Sequence, residues 1–234
     1  IMPFIVFAKR EILSCIFSNP SRSSNLDTLT AIQTRRAVKH FRNNEQLPAA
    51  DLDSLLQAAQ LTPTSFNIQH VRIVRVSDPA LRQQIRNAAW DQAQVTEAAE
   101  LWVICADIQA WQKQPQRYWR DTDDATQAML VQMLTDFYAG KPQLQRDEAV
   151  RSCGMVAQTI MLAARALGYD SCPMIGFDAG AVGQAIDLPA DHLIGMMLTI
   201  GSAAKPANPR GGLLPRQQVL LHNGFASTQE SIAA

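Results

Sequence analysis

One helical pattern limits the folds open to this chain more than any other feature. Between Arg146 and Gly168, apolar residues (Val150, Met155, Val156, Ile160, Leu162, Ala166, Leu167) occupy more than one side of the predicted helix, and Gly168 closes it. A helix that apolar cannot lie on a solvated surface. It belongs at the centre of the molecule or at a subunit interface. The chain has 234 residues, enough to bury a full hydrophobic core around it.

The remaining segments alternate between helix and strand periods. Ser24–Thr34 reads as a helix start with Asp27 as cap and Leu29 and Ile32 on one face. Pro48 opens a helix over Ala49–Gln60, whose Leu52, Leu55, Leu56 and Ala59 align, and Pro63 stops it. Val71–Val76 alternates as a half-buried strand, and Asp78 with Pro79 opens a helix to Ala89. Leu101–Ala106 is a continuous apolar strand. Trp111–Gly140 reads as helical despite Pro115, and it holds Trp111, Tyr118, Trp119, Phe137 and Tyr138. Strands at Ser171–Ile175 and His192–Ile200 flank a short helix at Ala179–Ile186. After Gly201 the chain is irregular, with Val219–Leu221 as a candidate edge strand. Such a tail needs a surface to lie on, and a second subunit would supply one. No strand runs through a glycine-rich turn into a helix. The pattern therefore predicts an α+β sandwich and argues against a doubly wound nucleotide fold.

Lys plus Arg equals Asp plus Glu, so the formal net charge is zero. Bulk charge gives no reason to expect nucleic acid or a membrane surface as partner. Cys15, Cys105, Cys153 and Cys172 form no CxxC pair, and a reducing cytoplasmic setting fits them. Residues 1–25 have apolar patches broken by Lys9, Arg10 and Glu11, too short to span a bilayer and in the wrong order for a secretory signal. They read as an extension before a domain at 26–234 that ends in the long tail. His40, His70, His192 and His222 have no metal-ligand spacing. Walker A, GxGxxG, HExxH and GxSxG motifs are all missing. If the chain is an enzyme, a cofactor carries the chemistry.

Two blocks supply candidates for holding one. TRRAVKHF at Thr34–Phe41 concentrates Arg35, Arg36 and Lys39. On a helical turn Arg35 and Lys39 share a face, while Val38 and Phe41 anchor the segment. The cations suit a phosphate or an electron-rich ring edge; a solvated basic turn is the plainer reading. TPTSFNIQH at Thr62–His70 offers short hydrogen-bonding groups at Thr64, Ser65, Asn67 and Gln69. They fit a polar ring and its hydroxyl tail, or an ordinary connecting loop.

Together the blocks resemble the FMN-dependent nitroreductase family. Its Arg-rich RR/RH-S-x-K/R-x-F segment appears here as RRAVKHF, and its P-S-S-x-N-x-Q-P-W segment as PTSFNIQHV, at similar spacing. Trp90–Ala98 (WDQAQVTEA) is similar to the family's amide-rich stretch. Gly154–Asp178 resembles its long central helix and P-x-x-GFD turn, and Pro209–Pro215 its basic C-terminal segment. The resemblance spans about residues 27–222. Ala37 stands in place of the usual Ser, Asp91 where an amide is common, His70–Val71 in place of Pro–Trp, and Leu213 where an Arg is frequent.

The resemblance implies a three-layer sandwich with a mostly antiparallel central sheet flanked by helices, paired as an intertwined homodimer with FMN at the interface. It assigns Arg35, Arg36, Ala37, Lys39 and Arg210 to FMN, with Arg35 near the phosphate and Lys39 near the N1/O2 edge. Pro63, Thr64, Ser65 and Asn67 approach the same flavin from the other subunit. Asp91 and Gln94 fall near the pyrimidine edge, and Ile175 and Gly176 present backbone N–H groups to N5 and O4. Tyr118, Trp119, Phe137 and Tyr138 are candidates for the substrate pocket, or simply core. The implied reaction is ping-pong transfer from NAD(P)H through flavin N5 to a nitroaromatic, a quinone or a related small-molecule acceptor. Flavin reduction, a specialised dehydrogenation, a non-catalytic flavin sensor or storage protein, and a flavin-free structural dimer are the alternatives.

Overall fold

The computed structural model describes residues 26–225, so the reading of residues 1–25 lies outside the described part. Helix α1 (Thr28–Thr34) begins where Asp27 accepts the Thr30 N–H at 3.0 Å. Pro48 flanks α2 (Ala49–Gln60), and Leu55 and Ala59 bury its inner face. Strand β1 (Val71–Val76) is followed by α3 (Pro79–Ala88), capped by Asp78. A one-turn helix, α4 (Gln94–Glu97), precedes β2 (Glu100–Asp107). Then come α5 (Asp124–Tyr138), α6 (Pro142–Ala166), β3 (Asp170–Met174), α7 (Ala179–Ala185), β4 (His192–Gly201) and a short α8 (Arg216–Val219).

The four strands form one antiparallel sheet in the order β1-β2-β4-β3. Every residue of β2 is buried, because the strand is central and both its faces are covered. Period-2 alternation divides it: Trp102, Ile104 and Ala106 face α2 and α6 in one core, whereas Leu101, Val103 and Cys105 pack with Ile85 of α3 and Val182 of α7 in the other. Helices on both faces of a sheet give the expected α+β three-layer sandwich.

The broadly apolar helix is central, as its pattern requires. In α6, Ala149, Cys153, Val156, Ala157, Ile160, Met161 and Ala164 are buried, while Val150 and Met155 stay exposed. The helix lies so close to β4 that a Cβ built on Gly195 would sit 2.5 Å from Cys153 Cβ. Glycine at 195 is what permits that approach, beside the register shift between Ile104 and Cys105.

Four details differ from the sequence expectation. Helix α6 starts at Pro142, one turn before Arg146, because proline is tolerated at the first helical position. Trp111–Gly140 is not one helix. Gln114 adopts a left-handed φ of 52° and Pro115 opens a separate 3-10 turn, so α5 starts only at Asp124, capped by Asp123. Val219–Leu221 joins no sheet; Val219 ends α8 instead. Arg35 ends α1 in a non-helical conformation, so the cation segment is not a helical turn. It runs beside β3, with bridges from Ala37 to Ser171 and from Phe41 to Ala203.

Candidate functional site

The cation segment is pinned at both ends. Val38 and Phe41 are each 2% exposed and lock into the core, as their pattern predicts. Val38 N–H donates to the Ser171 carbonyl at 3.1 Å, and Phe41 N–H to Glu97 Oε2 of α4 at 3.2 Å. With that backbone fixed, Arg35 and Lys39 both lie near Cys172 of β3. Lys39 Nζ lies 3.4 Å from the Cys172 sulfur.

The C-terminal tail adds a fourth cation. Arg210 donates to the carbonyls of Gln33 and Arg35 at 3.2 and 3.0 Å, and Arg36 donates to the carbonyl of Asn208. Burial, then the neighbouring Arg210 and Arg36, hold the Arg35 guanidinium below its usual pKa. No carboxylate forms an ion pair with any of these four cations among the described residues. Arg35 thus sits among like charges from Arg36 and Arg210, with Lys39 on the same segment and no carboxylate paired to them, an arrangement able to hold an external anion.

At the far end of β3, Ile175 is 80% exposed and Gly176 follows it. Neither N–H donates to a protein acceptor among the described residues. The Gly176 carbonyl is occupied, accepting Gln92 Nε2 at 2.7 Å, and Gln94 Nε2 in turn donates to Gln92 Oε1 at 2.9 Å. Gln94 is 3% exposed and holds Gln92 in place. Trp90 and Asp91 have left-handed φ angles of 53° and 57°, which lays the Trp90 indole against Gly176. Asp91 pairs with Arg86 at 2.7 Å, and Arg86 also donates to Thr96, so the carboxylate is turned toward α3.

Sequence reasoning missed Trp90 and Gln92. Nothing in WDQAQ shows which amide reaches the Gly176 peptide; that follows from the two left-handed residues before it.

The Thr62–His70 block lies elsewhere in the chain. A 3-10 turn at Ser65–Asn67 has left-handed φ at Phe66 and Asn67, and Gln69 beyond it is left-handed too. Thr64 Oγ1 accepts the Gln69 N–H at 3.0 Å, Ser65 Oγ accepts from the Tyr138 hydroxyl at 2.8 Å, and Asn67 Nδ2 donates to the Tyr118 carbonyl at 2.8 Å. Pro63 and Asn67 are exposed, while Thr64 and Ser65 are half-buried.

Tyr118 and Tyr138 are buried with Ile68, Trp111 and Leu134 in a satellite core, so they support the turn from behind. Trp119 is half-buried, and Phe137, 44% exposed, is the one of the four aromatics with substantial free surface. His70, where the pattern would have proline, is buried against Ser152 at 3.1 Å, and burial holds its pKa down at about 4.

The two blocks occupy opposite corners of the sheet. The Thr62–His70 block leads into β1 at one edge, whereas Ala37 bridges Ser171 of β3 at the other. Val71 aligns with Ala106 and Leu193, and Ser171 with Ile200. Three strand spacings across and seven residues along give a diagonal of roughly 27 Å. One chain therefore brings together the cations, Ile175, Gly176, Asp91 and Gln94, but not the Pro63–Asn67 wall.

Among the described residues one cluster has metal-binding proximity: Asp107, Asp191 and His192. The Lys113 ammonium bridges it, 2.8 Å from Asp107 and 2.6 Å from Asp191, so a protein cation already fills the charge demand. No helix among the described residues is long and apolar enough to cross a membrane.

Comparison with known proteins places the chain in a family. The family model described as "Nitroreductase family" matches residues 32–202. Protein DrgA of Synechocystis sp. is 50% identical over 182 residues, which cover 78% of this chain and 87% of that protein. The NADH dehydrogenase of Thermus thermophilus is 30% identical over 84% of this chain and 96% of its own length. The crystal structure of an Exiguobacterium sibiricum protein of nitroreductase type in complex with FMN superposes with a TM-score of 0.78. It covers 84% of this chain and 97% of that one at 21% identity, and so speaks to the fold. On the family match and on the extent of these likenesses, this chain belongs to the nitroreductase family of oxidoreductases.

Proposed function

We propose that the protein is an FMN-dependent oxidoreductase that takes reducing equivalents from NAD(P)H and passes them to a nitroaromatic, a quinone or a related small acceptor. The observation that carries this reading is the cluster of Arg35, Arg36, Lys39 and Arg210, lacking any carboxylate partner among the described residues, on the same edge as the free N–H groups of Ile175 and Gly176. A phosphate at one end and an electron-rich ring at the other match this set. FMN, when bound, supplies the two-electron relay between nicotinamide and acceptor.

In this reading Arg35, Arg36 and Arg210 hold the phosphate, and Lys39 stabilises negative charge on the pyrimidine side of the ring. Ile175 and Gly176 donate backbone N–H groups toward the N5/O4 edge. Gln92 fixes that peptide's orientation by occupying its carbonyl. The chain supplies orientation and charge, and no dedicated acid or base is required.

The wall of Pro63, Thr64, Ser65 and Asn67 completes the pocket from the partner subunit of a homodimer. Two observations support this: the corner-to-corner separation within one chain, and the exposed apolar residues Leu29, Ile32, Met129, Met133, Phe137, Val150 and Met155. Phe137 and Trp119 then border the acceptor's side of the pocket. The domain comprises residues 26–234, preceded by the 1–25 extension.

The visible spectrum of purified protein tests this function. Flavin absorption, release of FMN on denaturation, and anaerobic bleaching by NADH or NADPH are the expected results. Colourless protein that takes up no FMN, or flavin that neither nucleotide reduces, overturns it.

A further inference from the structure

A second cationic site lies beside the Thr62–His70 wall. A cleft of about 260 Å³ is lined by Asn67, Gln69, Arg72, Arg117, Tyr118, Arg120 and Asp121. Its three arginines come from β1, from the 3-10 turn that Pro115 opens and from the residue just after that turn, and none forms an ion pair among the described residues. Asp121 is the single acid in the lining.

The arginines differ in how they are held. Arg72 Nη1 donates to the carbonyls of Gln69 and Val71 at 2.8 and 2.9 Å, which fixes its fork over the cleft. Arg117 donates to the Tyr118 hydroxyl at 2.9 Å and lies over its ring. Arg120 makes no protein hydrogen bond among the described residues, and its guanidinium is free for a ligand. Tyr118 is itself anchored to the Ala110 carbonyl at 2.8 Å, so Arg117 rests on a rigid platform. The free Arg120 guanidinium and the remaining N–H groups of Arg72 and Arg117, gathered around one concave space, form a recognition set for phosphoryl oxygens.

We infer that the Arg72–Arg117–Arg120 cleft holds the phosphates of the dinucleotide reductant. Asn67 belongs both to this cleft and to the wall assigned to the flavin pocket, so the two spaces adjoin. A nicotinamide lying against the flavin and a pyrophosphate lying among the arginines are parts of one ligand. The inference rests on the proposed oxidoreductase function and extends it, because it assigns the non-reacting half of the reductant to named residues.

The test compares reductants with and without phosphates. NADH, NADPH and N-benzyl-1,4-dihydronicotinamide are each mixed anaerobically with the wild-type holoenzyme, with Arg120→Gln and with Arg117→Gln/Arg120→Gln, and flavin bleaching is followed. The rate constant for the dinucleotides, divided by that for the phosphate-free reductant, should fall about tenfold in the double variant. Calorimetric titration with NADP⁺ should show a matching loss of affinity. A loss confined to NADPH assigns the cleft to its additional phosphate, and equal loss for NADH and NADPH assigns it to the pyrophosphate.

A ratio within twofold of wild type, or unchanged NADP⁺ affinity, overturns the inference while leaving the flavoprotein function standing. Wild-type protein that no reductant bleaches overturns both.

Discussion

Gln92 Nε2 donates to the Gly176 carbonyl at 2.7 Å, tying the turn after α3 to the turn after β3. The bond joins residues 84 positions apart and leaves the Gly176 N–H free to face a ligand. Gln92→Leu keeps the volume and removes the donor. The expected outcome is about a tenfold slower flavin reduction by NADPH, with little change in melting temperature, since one partly buried bond contributes about 1 kcal/mol. Stopped-flow bleaching beside a thermal melt checks both parts.

Gly195→Ala tests the closest helix-to-strand approach. The added Cβ would meet Cys153 Cβ at 2.5 Å and Cys153 Sγ at 2.6 Å, and both atoms belong to a fully buried residue of α6. Neither side has space to yield, so destabilisation of about 1–3 kcal/mol is expected from overpacking. Urea unfolding of the variant against wild type measures it; an unchanged midpoint contradicts the described packing.

His70 should make stability fall in mild acid. Its folded-state pKa is about 4 against an ordinary 6.5, mainly because burial disfavours the imidazolium. Above pH 6.5 both states are neutral at this site and it contributes no pH dependence. Between 6.5 and 4 the unfolded chain binds the proton and the folded chain does not, so stability drops with pH, by about 3 kcal/mol in all. His70→Asn retains a group able to bond Ser152 and should flatten that part of the stability curve. An equally steep loss in the variant would assign the acid sensitivity to other groups.

Much of the fold was legible because local signals agreed with the tertiary outcome. Asp27 and Asp78 cap α1 and α3 where the sequence places them, and the unbroken apolar run of β2 reflects cover on both faces. The misreadings have specific physical causes. Gln114 and Phe66 adopt left-handed conformations that their residue types do not advertise, and these bends broke the long helix read from Trp111 and shaped the turn before β1. Helical spacing of Arg35 and Lys39 failed because bridges to Ser171 of β3 and to Ala203 after β4 hold the segment extended. At the candidate site the cations and the small-residue wall were visible as composition. Their separation to opposite corners of the sheet was not, because it depends on strand order.

The central claim is that one flavin pocket needs the cations of one subunit and the wall of another. Two variants, Arg35→Ala/Lys39→Ala and Ser65→Asp/Asn67→Asp, should each fail to retain FMN as pure homodimers. Unfolded and refolded together, or co-expressed with different affinity tags, they form mixed dimers. In these, one pocket combines intact cations with an intact wall and the other carries both lesions. The decisive measurement is the FMN content of the doubly purified mixed dimer: recovered flavin binding is the predicted result, and mixed dimers as empty as both parents would contradict the shared pocket.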